Sequence, residues 1–225
     1  MDCFNQFPKL FGRKKFWIAC FCLLGYQQVG AQNAVSLHDL SFFDNPSSNW
    51  KVVAGAQADI TQDEVLTVKD GAGILVNLPG KKGAKDLFTK TVYGDADLEL
   101  DYMMAKGSNS GIYLQGRYEI QLLDSWGTVN PKSGDNGGIY ERWDDSKPDG
   151  QQGYDGHAPR QNASRAPGLW QHMKISFQAP RFDGKGQKIS NAKVLYIWLN
   201  GVLIQDNVEL SGPTRGAFEI GRAHV

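Results

Sequence analysis

Glu119 and Gln121 sit two residues apart in Tyr118-Glu119-Ile120-Gln121-Leu122-Leu123-Asp124. Strand side chains alternate, so these two share a face while Ile120 and Leu122 enter a core. Asp124 falls on the core side of a regular strand. A one-residue bulge near Leu122-Leu123 would turn it back beside Glu119 and Gln121. The preceding segment adds Tyr113, Gln115 and Arg117 nearby. Carboxylates and amides take paired hydrogen bonds from sugar hydroxyls, and aromatic rings stack on sugar C–H faces. This face therefore suits carbohydrate; the competing reading is a solvated outer face of a sheet.

Other reactive groups are sparse. His157, in Tyr154-Asp155-Gly156-His157, has the chemistry of a general base or metal ligand, although a lone loop histidine is more often neither. His172 shares a strand face with Trp170 and Lys174 and reads as structural or solvent-facing. Asp95, Asp97, Glu99 and Asp101 resemble a calcium ladder, but same-face strand neighbours lie about 7 Å apart, too far for one ion to gather all four. They read as a charged solvent face. There is no Gly-x-Ser-x-Gly, no His-Glu-x-x-His and no phosphate-binding glycine loop.

Alternation dominates the elements that must position these groups, and no amphipathic helix of useful length occurs. Strands are expected over 65–68 and 74–78, separated by a Gly71-Ala72-Gly73 turn, and over 97–104, with Leu98, Leu100, Tyr102 and Met104 facing inward. A basic loop spans 81–85 and a turn spans 107–110. Segments 112–115 and 118–123 read as a hairpin about Gly116-Arg117. Strands return at 170–177 and 194–199, and Asn200-Gly201 signals a hairpin into 202–205. Residues 125–167 are irregular, yet carry Trp126, Tyr140, Trp143 and Tyr154. A long aromatic loop of this kind is usually functional rather than disordered. The class is all-β, a sandwich or jelly roll of antiparallel sheets.

The chain has 225 residues, 41% of them hydrophobic, with 24 basic and 24 acidic side chains. That supports one domain with a real core, and the absence of a basic stripe argues against a nucleic-acid partner. Residues 1–31 are a different material. Lys9, Arg13, Lys14 and Lys15 precede a short apolar run at 16–25, and Val29-Gly30-Ala31 supplies a cleavage site. This is a secretory signal, too short to span a bilayer. Secretion or a periplasmic address follows, with no integral membrane segment after cleavage. A lipoprotein cysteine in Ile18-Ala19-Cys20 is the weaker alternative, because too little apolar sequence precedes it. Cleavage removes four basic residues and Asp2, leaving 20 basic and 23 acidic. It also removes Cys3, Cys20 and Cys22, so the mature domain has no disulfide and no thiol chemistry. Asn162-Ala163-Ser164 is then an accidental sequon.

Five motifs occur in order: Asn109-Ser110-Gly111-Ile112-Tyr113; the Tyr118 to Asp124 string; Gly137-Gly138-Ile139-Tyr140; Ala166-Pro167-Gly168-Leu169-Trp170; and Trp198-Leu199-Asn200-Gly201. Together they resemble the 3-keto-disaccharide hydrolase domain family over residues 37–218. The resemblance implies a concanavalin-like jelly roll, export from a bacterial cell, and hydrolysis of sugars oxidised at C3. The fold likeness also makes Glu119-x-Gln121-x-x-Asp124 similar to the catalytic strand of laminarinase-type glycosidases. There the middle member is acidic; here it is Gln121, and the last is Asp124, which alters the carboxyl separation that sets a two-carboxylate mechanism.

A C3 ketone acidifies the C2 proton and opens an elimination route, with water adding afterwards. The resemblance then implies Glu119 or His157 as base, Arg117 as charge stabiliser and Asp124 as acid or metal ligand. Tyr113, Gln115, Arg117, Gln121, Trp126, Tyr140 and Glu141 would bind substrate. Segment 125–167 would roof the sheet and supply Tyr140, Glu141 and His157. No cofactor is fixed; a divalent metal ion is one candidate stabiliser. The family's closing strands are not found, and residues 219–225 read as translated sequencing adapter. The expected layout is therefore a signal at 1–31, a sugar-active jelly roll at 32–218 lacking its last strands, and a non-native tail at 219–225. A non-catalytic carbohydrate-binding module is the alternative function, and a structural surface protein a distant third.

Overall fold

A computed structural model describes residues 34–80 and 83–218. The expected signal, the adapter-like tail and Lys81-Lys82 of the basic loop lie outside the described residues. All regular structure among the described residues is β, in fourteen strands. In chain order these are β1 (Phe43–Asp44), β2 (Trp50–Ala58), β3 (Leu66–Asn77), β4 (Phe88–Thr89), β5 (Ala96–Met103), β6 (Asn109–Leu114) and β7 (Tyr118–Leu123). Then come β8 (Arg142–Trp143), β9 (Gly153–Tyr154), β10 (Trp170–Gln178), β11 (Arg181–Phe182), β12 (Lys188–Ser190), β13 (Ala192–Leu199) and β14 (Val202–Leu210).

One layer is a four-stranded antiparallel sheet in the order β14-β13-β10-β5. Its inward side chains are the expected alternating ones: Tyr102 from β5, Met173, Ile175 and Phe177 from β10, Val194, Ile197 and Leu199 from β13. The facing layer is the β6–β7 hairpin, which sends Leu114, Tyr118, Ile120 and Leu122 into the same core. The result is a two-layer all-β sandwich, as the alternation requires.

The second layer is wider than the hairpin. Ile120 bridges Ile139, and Ile139 bridges His157, both antiparallel. Ile139 exchanges both backbone bonds with His157 at 2.9 Å. Residues 137–140 and 157, read from sequence as irregular, are thus additional rungs beside β7. Their lack of β-branched alternation hid them, because glycines occupy the neighbouring positions.

Two further differences are local. The Gly71-Ala72-Gly73 segment is a bulge rather than a turn: Val53 pairs with both Asp70 and Ile74, so β3 continues through it. Gly71 has φ 142°, and a Cβ there would lie 2.5 Å from that of Ala54. The β6–β7 register runs unbroken from Asn109↔Leu123 to Leu114↔Tyr118. The bulge expected near Leu122-Leu123 is therefore absent from this pairing. Asn200-Gly201 does form a tight hairpin, with φ of 52° and 82°.

Candidate active site

The hairpin register places Tyr113 directly opposite Glu119. On the other side of β7, the Tyr140 N–H donates to the Glu119 carbonyl at 3.0 Å. Ile120 faces the core, so by alternation Tyr113, Glu119 and Tyr140 form one row on the opposite, outward face. The next row holds Gly111 opposite Gln121.

Glu119 is half-buried and precisely restrained at one oxygen. The Tyr113 hydroxyl donates to Glu119 Oε2 at 2.7 Å. The other oxygen leans over Gly111: a Cβ there would come within 2.2 Å of Oε1. A glycine opposite Gln121 is what leaves this carboxylate its position. Burial pushes the Glu119 carboxyl above the usual range, the Tyr113 hydrogen bond pulls it partly back, and the Asp86 charge raises it again. Burial, then the Glu119 carboxylate, raises the Tyr113 phenol.

Tyr113 has a second partner, the Arg215 carbonyl at 2.9 Å. A phenol carries one proton. When Glu119 is ionised, Tyr113 donates to it. When Glu119 is protonated, its O–H donates to Tyr113, and the phenol proton turns to Arg215. Both protonation states of Glu119 therefore keep a hydrogen-bonded partner.

Segment 214–218 closes this end of the row. Thr214 Oγ1 accepts the Glu119 N–H at 3.0 Å. The Thr214 N–H donates to the Arg117 carbonyl, and the Arg215 N–H to the Glu141 carbonyl. The pair wedges between diverging strands and takes their unpaired backbone groups. The Arg215 guanidinium lies 3.6 Å from the Trp143 ring centroid. Sequence reasoning missed Thr214 and Arg215, because their contacts lie about a hundred residues away in the chain and leave no local pattern.

The remaining expected residues divide. Gln121 shares the Glu119 face and is buried; its Nε2 donates to Asn109 Oδ1 at 3.0 Å, while its Oε1 has no hydrogen-bond partner. Gln115 is turned away, its amide donating to the Tyr93 carbonyl. Arg117 is held by the Phe218 carbonyl at 3.2 Å. Trp126 is exposed beyond the end of β7. The Glu141 carboxylate packs against Gly153, where a Cβ would clash with it at 2.3 Å.

Asp124 is not turned back beside Glu119. It follows the last residue of β7, and its carboxylate accepts the Gly107 N–H at 2.9 Å and the Trp126 N–H at 3.3 Å. That is a turn clamp, and the regular register is the reason. His157 pairs with Ile139, which pairs with Ile120, so its side chain belongs to the core-facing parity rather than the Glu119 row. The expected convergence of Glu119, Asp124 and His157 is thus corrected. These donors do not suit a divalent metal either. Asp124 is committed to backbone, His157 has the opposite parity, and among the described residues no group of three His, Cys, Asp or Glu side chains is arranged to hold a metal ion.

A family model for the 3-keto-alpha-glucoside-1,2-lyase-like domain matches residues 39–223. The chain belongs to this family. A solved structure from Parabacteroides distasonis, of a protein proposed to be a glycosyl hydrolase, is 27% identical; the match covers 82% of this chain and 72% of that one, with a TM-score of 0.48. The curated proteins gave no match. In this lyase-like domain the motif Gly137-Gly138-Ile139-Tyr140 has a physical role. It supplies the strand beside β7 and brings Tyr140 to Glu119. Gly138 is needed because Ser133 O would lie 2.3 Å from a Cβ. Ser133 and Asp135 thereby lie against the sheet beside Gly138.

Elsewhere in the irregular segment a polar network adds to the packing of Ala163 against the core. Buried Asn136 accepts the Tyr102 hydroxyl at 2.8 Å and donates to Ser164 and Gln171. Asn162 Nδ2 donates to the Ser125 and Thr128 carbonyls. Asn162, read as an accidental sequon, is a loop tie.

Proposed function

We propose that this carbohydrate-active, hydrolase-like domain cleaves 3-keto-glycosides by elimination followed by hydration, with Glu119 as the base. The observation that carries this reading is the half-buried Glu119 carboxylate, held at one oxygen by Tyr113 and raised in pKa by burial. A base works best when its pKa approaches the operating pH.

The chemistry needs one well-placed base. Glu119 takes the C2 proton that the C3 ketone has acidified. The electron pair forms the C1–C2 double bond as the C1–O bond breaks. The Glu119 carboxyl or solvent returns a proton to the departing oxygen, and water then adds to the unsaturated sugar. As Glu119 gains its proton, Tyr113 switches its own to the Arg215 carbonyl, so the carboxyl keeps its position through the cycle. A two-carboxylate hydrolysis is less well supported, because Asp124 is committed to the Gly107 and Trp126 amides. The family description and the sugar-suited face support the substrate class.

The test is turnover of an aryl 3-keto-α-glucoside, followed by release of the aryl alcohol. Glu119→Gln should lower kcat/KM by about 10²–10⁴-fold. A wild-type rate in that variant would remove Glu119 from the mechanism. Export is part of the reading, carried by residues 1–31; cell fractionation of the full chain should place it outside the cytoplasm.

A further inference from the structure

We infer that the outward face of the four-stranded sheet is a second, non-catalytic binding site for an oligosaccharide. It lies across the sandwich from Glu119. The outward parity of β10 presents Trp170, His172 and Lys174, and that of β13 presents Tyr196 and Trp198. Two of these aromatics are well exposed for their size: Trp170 at 41% and Trp198 at 39%. Large apolar side chains grouped on one exposed sheet face, here with Leu195 as well, are the kind of patch that marks an interaction site.

The two rings frame one polar strip. Trp198 stands opposite Lys174, four residues along β10 from Trp170. At strand spacing that separates the rings by about 14 Å, more than one sugar ring. His172 lies between them and borders two shallow depressions of about 370 and 380 Å³. Trp170, Asp101 and Arg165 line the first; Tyr196, Trp198 and Lys174 line the second.

The electrostatics choose the ligand class. His172 contacts Asp101 at 2.8 Å and Glu99 at 3.2 Å, and Lys174 contacts Glu99 at 3.1 Å. Lys174 pairs with Glu99 and Asp101 lies against the His172 ring, so the strip carries no basic field that would draw nucleic acid. What it does offer is fixed donors and acceptors between two aromatic platforms. An uncharged polyhydroxylated chain matches that, hydroxyls on the strip and C–H faces on the rings. The bulge in β13 strengthens the platform. The register slips where Ser176 pairs with Tyr196 and Phe177 with Val194, which skips Leu195. Leu195 is 39% exposed, and it joins Tyr196 outside.

Native gel electrophoresis in laminarin, soluble starch or hydroxyethyl cellulose tests the inference. The wild-type chain should be retarded in at least one gel. Trp170→Ala with Trp198→Ala should weaken that retardation at least about tenfold. The same variant should turn over the aryl 3-keto-glucoside normally, which also shows that it folds. Glu119→Gln should be retarded like wild type, whatever becomes of its activity. His172→Ala, smaller and between the rings, should weaken retardation more modestly. No retardation in any gel, or retardation lost with Glu119→Gln and kept without the tryptophans, overturns the inference.

Discussion

At the scale of single residues, the site depends on three side-chain facts that meet at one carboxylate. Tyr113 holds Oε2, Gly111 leaves room for Oε1, and burial raises the pKa. Tyr113→Phe removes the bond that favours the ionised form. The Glu119 pKa then rises further, and the acidic limb of the kcat/KM profile should move to higher pH. A profile whose acidic limb stays in place would show that Tyr113 does not act through Glu119. Gly111→Ala is a different probe. Its new methyl meets the movable end of Glu119 rather than backbone, so the fold should survive while the carboxylate shifts. A displacement of about 1 Å can cost about 10²-fold in rate; activity should fall on that order with little change in Tm.

Among the elements, β7 was the most legible, because Tyr118 to Leu122 alternate and the inward positions face a real core. The inward set of β5 and the Asn200-Gly201 hairpin were legible for the same reason: local chemistry alone decides them. Asp124 was not. Its placement depends on whether the strand bulges, and a bulge leaves no mark in Leu122-Leu123. Residues 137–140 were hidden because a strand rung with two glycines has no period to read. Thr214 was hidden because its task is non-local: its hydroxyl takes an amide 95 residues earlier in the chain. Thr214→Val keeps the shape and removes that acceptor. An unpaired, part-buried N–H costs about 1–3 kcal/mol, so the unfolding free energy should fall by that amount and denaturant midpoints should drop with it. If they do not move, the wedge is not a support of the row.

For the whole molecule, the sandwich keeps two chemistries on opposite sides of one core. The all-β class and family were readable from ordered motifs, whereas the division of faces needed the register. Two carboxyls give stability opposite dependences on pH. The Arg181 guanidinium and the Ala179 N–H hold Asp95 below its ordinary 3.8. That contribution is present above the unfolded value and is lost as pH falls through the folded one. Glu119 is raised above 4.5. Its protonated form suits the fold, so its contribution is present below 4.5 and is lost as pH rises through the raised value. Stability should therefore be greatest in mild acid. Tm measured against pH should lose its alkaline-side decline above 4.5 in Glu119→Gln and keep its acid-side decline; an unchanged profile would mean that Glu119 is not desolvated.

The wedge at Thr214 and Arg215 also sets an order of assembly. Tyr113 finds the Arg215 carbonyl 102 positions downstream. A ribosome makes the base 95 residues before it makes the Thr214 hydroxyl that takes its N–H, and domains form as the chain emerges. A growing chain that has passed β7 but not residue 215 holds Glu119 without its N–H acceptor or the resting place for the Tyr113 proton. Competence of the site therefore waits on segment 214–215, however early β7 is made.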